Sequence, residues 1–129
     1  FKNKEEEIQC IAYLVNYFRN SHYNSLVIIF KTESQAKELV QKLQIYANDI
    51  SLLSNQSSVY VKGIIITSAH MAKGLEFDEV IIPQTDDKNY HSNIDKSMLY
   101  VATTRAMHKL TLTYSVSSPG CRFLICLRN

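Results

Sequence analysis

No phosphate-cradling GxxxxGK[ST] loop occurs in these 129 residues, so the chain cannot by itself wrap the phosphates of a nucleotide. Cysteine is scarce: Cys10, Cys121 and Cys126, an odd set with no CxxC pair. That is a poor disulfide framework, and reduced thiols in a cytoplasmic protein are the simple reading. The four histidines (His22, His70, His91, His108) are scattered without HxxxH spacing, so no metal site is expected. No apolar run approaches the ~20 residues of a membrane-spanning helix. The opening FKNKEEE is charged and has no signal-peptide core, so no membrane association is expected. An initiating Met is also lacking, which reads as a fragment of a longer protein. A charge excess is missing too: 14 Lys+Arg stand against 12 Asp+Glu, a formal +2. That balance does not argue for nucleic acid, whose electrostatic footprint needs a clustered basic face.

What is present is apolar patterning. Hydrophobic residues make up 46% of the chain, enough to drive folding, and the length suits one domain over residues 1–129. Asn3 with Glu6 reads as a helix cap with its box partner. Ile8, Ile11, Ala12, Val15 and Phe18 then recur at helical spacing over about four turns. NSHYNS (Asn20–Ser25) is a polar break. LVIIF (Leu26–Phe30) is a continuous β-branched run of the kind found in strands covered on both faces. Thr32 with Gln35 is a second capping pattern, and Ala36, Leu39, Val40 and Leu43 mark one face of a second helix.

Ile50–Leu53 reads as a strand and Ser54–Ser58 as a loop. Ile64–Thr67 and Val80–Ile82 are buried strands, the latter stopped by Pro83. Gln84–Tyr90 is a solvated loop. Ser92 or Asn93 can cap a helix turning Ile94, Met98, Leu99, Val101 and Ala102 inward. Leu110, Leu112 and Tyr114 alternate as a last strand, and Phe123–Leu127 is an apolar tail that docks back on the domain. Strands alternating with helices predict a three-layer α/β sandwich with a mostly parallel sheet. Ligands of such sheets gather at the carboxyl ends of strands, here Phe30-Lys31, Thr67–Lys73 and the loop after Ile82.

Two stretches carry the chemistry. In SAHMAKGLEF (Ser68–Phe77) a strand breaks, turns through Gly74 and re-enters the sheet. Gly74 permits close backbone approach, and Glu76 is an acceptor-only carboxylate suited to a sugar hydroxyl or a cation. From residue types alone this is a crossover loop with a surface carboxylate. Arg105 ends a helix, where a cation complements the dipole. Phe30-Lys31 reads equally well as a core ring beside a solvated lysine or as an aromatic–cation ligand pair.

Together and in this order, Ile64–Pro83, with ITSAHMAKGLEFDEVIIP, and Leu99–Tyr114, LYVATTRAMHKLTLTY, resemble motifs V and VI of superfamily 1 helicases of the Rep/UvrD type. The TRAMHKL wording is most similar to the HelD (helicase IV-like) group. The resemblance implies the C-terminal RecA-like lobe of an ATP-dependent DNA helicase or translocase. It also implies ATP with Mg²⁺, the metal being held by a missing N-terminal lobe, and single-stranded DNA across both lobes. It makes Arg105 an arginine finger: a planar guanidinium donates to two oxygens of a transferring phosphoryl group and cannot deprotonate. Glu76 and Gly74 would face the nucleotide sugar and phosphates. Phe30 and Lys31 match motif IV as base-stacking ring and phosphate cation, although the family favours arginine at the second position. Ser68, His70, Lys73 and Thr104 fall at positions facing the strand or the lobe interface.

Two departures stand out. Lys96-Ser97 replaces the paired arginines that many members carry, and only Gln44–Lys62 separates motifs IV and V, where the family inserts a large subdomain. The isolated chain is expected to be inactive. A second reading is a HelD-like ATPase that remodels RNA polymerase. A third is a degenerate, non-catalytic binding module.

Overall fold

The computed structural model describes residues 2–44, 50–53, 63–72, 74–85, 89–115 and 121–127. Helix α1 (Lys2–Arg19) leads into strand β1 (Leu26–Phe30), helix α2 (Glu33–Leu43) and strand β2 (Ile50–Leu53). Strand β3 (Ile64–Ser68), the short helix α3 (Ala69–Ala72) and strand β4 (Phe77–Ile82) follow. Helix α4 (Asn93–Thr103) then leads to strands β5 (Ala106–Ser115) and β6 (Cys121–Leu127). The six strands form one sheet in the order β2-β3-β1-β4-β5-β6. All pairs are parallel except β5 with β6.

The continuous apolar runs become central strands because both faces are covered. All five residues of β1 are buried, their side chains alternating between two helix layers. Leu26, Ile28 and Phe30 pack under α1 and α2 with Leu14, Phe18 and Leu39. Val27 and Ile29 pack on the other face with Ala69, Phe77 and Ala102, beneath α3 and α4. Phe77 is fully buried, worth about 2–3 kcal/mol. The expected three-layer α/β sandwich is therefore the observed one.

Local signals were obeyed with some displacement. Thr32 caps α2 by accepting from the Gln35 backbone N–H at 3.3 Å. The Gln35 side chain does not complete the box; it donates to Asn89 Oδ1 at 2.9 Å. Ser92, not Asn93, caps α4, in a full box with Asp95. Helix α1 is already running at Lys2, so Asn3 is not its cap. The loop after Pro83 is not wholly solvated, since Tyr90 is buried in the core under α4. Strand β4 begins at Phe77, three residues before the apolar triplet. The tail does dock back, as an edge strand, but Phe123, Leu124, Ile125 and Leu127 stay exposed.

Helix α4 departs most from expectation. The spacing turns Ile94 and Val101 inward, yet both are exposed, Ile94 at 75%. Met98, Leu99 and Ala102 are the α4 residues that pack on the sheet-side core, and of these only Ala102 is fully buried. Ile94 and Val101, on the outer face of the turn, stay outside.

Candidate functional site

Parallel strands give the sheet two chemically distinct edges, and the singled-out residues divide between them. Phe30 and Ser68 are register partners at the carboxyl ends of β1 and β3, with Lys31 and His70 just beyond. Phe77 pairs with Ala106 at the amino ends of β4 and β5. There the Phe77 backbone N–H donates to the Arg105 carbonyl at 2.9 Å, so Glu76 and Arg105 lie side by side. Helix α4 spans between the edges, about 16 Å over its eleven residues.

At the amino edge, Arg105 follows the last turn of α4. Its Nη2 and Nε donate to Thr104 Oγ1 at 3.0 and 3.3 Å. The Thr104 hydroxyl donates in turn to the Val101 carbonyl at 2.6 Å. Thr104 thus anchors the guanidinium to the helix end, while Thr103 caps the Tyr100 carbonyl. Among the described residues no carboxylate pairs with Arg105, and none of their cations pairs with the exposed Glu76. Gly74 has φ +85°, and a Cβ there would meet nothing within 4 Å. Its glycine is required by the left-handed backbone and not by crowding. The β4–β5 register shifts between Phe77 and Glu79, next to the Phe77–Ala106 pair that follows Arg105.

At the carboxyl edge, Ser68 is buried and accepts from the Met71 backbone N–H at 3.4 Å, capping α3. His70 is exposed and lines a cleft with Asn93, Ile94, Ser97 and Val101. Phe30 is buried in the α1–α2 core. Lys31 Nζ donates to the Asn89 carbonyl at 2.7 Å and to Asp95 Oδ2 at 3.2 Å. The backbone N–H of Ser92 does most to hold the Asp95 carboxyl below its ordinary range; desolvation opposes it, and Lys31 and the N–H of His91 each add a smaller lowering. Lys73 lies outside the described residues.

Sequence reasoning missed a buried polar row under α1. Glu7 Oε2 accepts from Thr113 Oγ1 and from the Gln84 N–H, both at 2.7 Å. Lys109 Nζ stands 3.7 Å from Glu79 Oε2 and 4.7 Å from the Tyr17 ring centroid. Burial raises the Glu79 pKa, and Lys109 offsets part of that shift. The available signal was the Lys109/Thr111/Thr113 alternation on β5, which reads equally as a solvated face.

The family model for the UvrD-like helicase C-terminal domain matches residues 45–117, more than half of the chain. The chain belongs to that family. A segment of 45 residues is 56% identical to the Gabija protein GajB of Bacillus cereus strain VD045, covering 35% of this chain and 9% of that protein. DNA helicase II of Escherichia coli K12 is 33% identical over 70 residues, 46% of this chain and 10% of that one. The chain thus spans about a tenth of the length of these curated relatives. A solved C-terminal domain of a possible DNA helicase from Lactobacillus plantarum WCFS1 superposes with TM-score 0.75 at 26% identity, covering 90% of this chain and 70% of that one. The sheet described above is therefore a RecA-like helicase lobe. No described helix is long and apolar enough to cross a membrane.

Proposed function

We propose that this domain is the C-terminal motor lobe of a cytoplasmic ATP-dependent DNA helicase or translocase, and that it completes an ATP site shared with an N-terminal RecA-like lobe of the same protein. The observation that carries the reading is the amino edge. The Arg105 guanidinium is anchored by Thr104, the Arg105 backbone runs beside Glu76, and among the described residues neither side chain has an ion-pair partner. That donor set fits a nucleoside triphosphate: a fork for phosphate oxygens, a carboxylate for a sugar hydroxyl, and the Gly74 backbone for close approach. Mg²⁺ on the other lobe would neutralise phosphate charge. Arg105 would stabilise the charge that spreads over the transferring group, a contribution of about 10³–10⁵ in rate where such fingers are known.

The carboxyl edge, with Ser68 and His70, is assigned to single-stranded DNA, and α4 joins the two edges. Alone, the chain would lack a phosphate cradle and be inactive. Steady-state ATPase of the full-length protein, wild type against Arg105→Ala and Arg105→Lys, tests the reading. DNA-stimulated turnover should fall at least about 10³-fold in the alanine variant, with little recovery in the lysine one. An unchanged rate would remove Arg105 from the site.

A further inference from the structure

We propose that Lys31 is a positioning residue: through Asp95 and the Asn89 carbonyl it fixes the amino end of α4, and so sets where Arg105 stands at the other end. This rests on the motor-lobe reading. An ammonium has three donors, and two of those on Lys31 are already spent, on Asn89 O at 2.7 Å and Asp95 Oδ2 at 3.2 Å. The same Asp95 oxygen accepts from the backbone N–H groups of His91 and Ser92, each at 3.2 Å. A parallel tie runs from Gln35 Nε2 to Asn89 Oδ1 at 2.9 Å, and Asn89 Nδ2 donates to the Gln84 carbonyl at 3.1 Å. The β1–α2 junction, the segment after β4 and the first turn of α4 are thereby joined through one compact cation.

Ala102 is the one fully buried side chain of α4, with Met98 and Leu99 partly buried against the core beside it. That packing sets the face α4 presents to the sheet, while the ties at its amino end fix its position along the axis. A helix of eleven residues moves as a rigid body, so a shift of one end reaches the other. A lysine suits the task because its small ammonium can meet a carbonyl and a carboxylate oxygen together, where the planar fork of arginine favours one bidentate partner.

The test is a double-mutant cycle in the full-length protein, with DNA-stimulated ATPase as readout: Lys31→Met, Asp95→Asn and both together, with Arg105→Ala as control. Asp95→Asn keeps an oxygen for the cap and removes only the charge, so it preserves folding if Lys31→Met does not. Each single variant should lower kcat about tenfold with KM for ATP unchanged, and the double variant should be no worse than either. A raised KM in Lys31→Met, with Asp95→Asn silent, would make Lys31 a phosphate ligand and overturn the proposal. Multiplying losses in the double variant would overturn it too. If Arg105→Ala collapses turnover while the cycle shows no coupling, only the Lys31 proposal fails. If Arg105→Ala is silent, the motor reading fails with it.

Discussion

Replacing Lys109 with methionine should destabilise the domain at neutral pH much more than at pH 5. Glu79 is 1% exposed and Lys109 6%, and neither Glu79 oxygen has a hydrogen-bond partner among the described residues. Without Lys109, the carboxylate faces either an uncompensated buried charge or protonation. Protonation is the cheaper route and sets the ceiling. From an ordinary 4.5 to pH 7 is about 2.5 units, at 1.36 kcal/mol each, or about 3.4 kcal/mol. At pH 5 the same proton costs about 0.7 kcal/mol. The sign follows from the raised folded-state pKa. Stability from this group is complete below the unfolded value and is lost as pH rises through the folded one.

Unfolding entropy per residue, scaled to 129 residues, converts 1 kcal/mol to about 4 °C, so the fall in Tm reaches about 12 °C at pH 7 and about 3 °C at pH 5. Thermal unfolding followed by circular dichroism measures both. Glu79→Gln/Lys109→Met should recover most of the loss, because no buried charge remains. Equal destabilisation at both pH values, or a double variant as unstable as Lys109→Met, would show that the buried Glu79 charge is not what Lys109 offsets.

Ser92→Ala removes the hydroxyl that accepts from the Asp95 N–H at 3.0 Å and should cost about 1 kcal/mol in denaturant unfolding. Gly74→Ala should cost about 1–2 kcal/mol through its positive φ alone, since the added methyl meets no neighbour. The lowered Asp95 pKa contributes stability above its unfolded value that is lost as pH falls through the folded one. Asp95→Asn should therefore flatten the acid limb of a stability-versus-pH curve, and an unchanged limb would contradict that assignment.

Much of the fold was legible because β1, β3 and β4 are unbroken β-branched runs, which only a doubly covered sheet accommodates, and because Thr32 and Ser92 sit at helix starts. What escaped depends on which partner surface wins. Helix α4 carries apolar residues over more than one face, and spacing alone could not show that the sheet would take Leu99 and Ala102 and leave Ile94 outside. Tyr90 sits in a polar segment, and its burial is a tertiary choice. For the candidate site, the residue types of Glu76, Gly74 and Arg105 were readable from their motifs. Their separation from Lys31 and Ser68 was not, because it follows from strand direction: a segment leaving one strand must cross the sheet's length before entering the next parallel one. The engagement of Lys31 by Asp95, 64 residues away in sequence, has no local signature at all.

A structure of the full-length protein with a non-hydrolysable ATP analogue and single-stranded DNA tests the two-edge arrangement most directly. The Arg105 guanidinium is expected on the terminal phosphate, Glu76 at the sugar, the DNA along the Ser68–His70 edge, and Lys31 still paired with Asp95. A nucleotide seated at the carboxyl edge, with Lys31 on its phosphates and Arg105 turned to solvent, would contradict it.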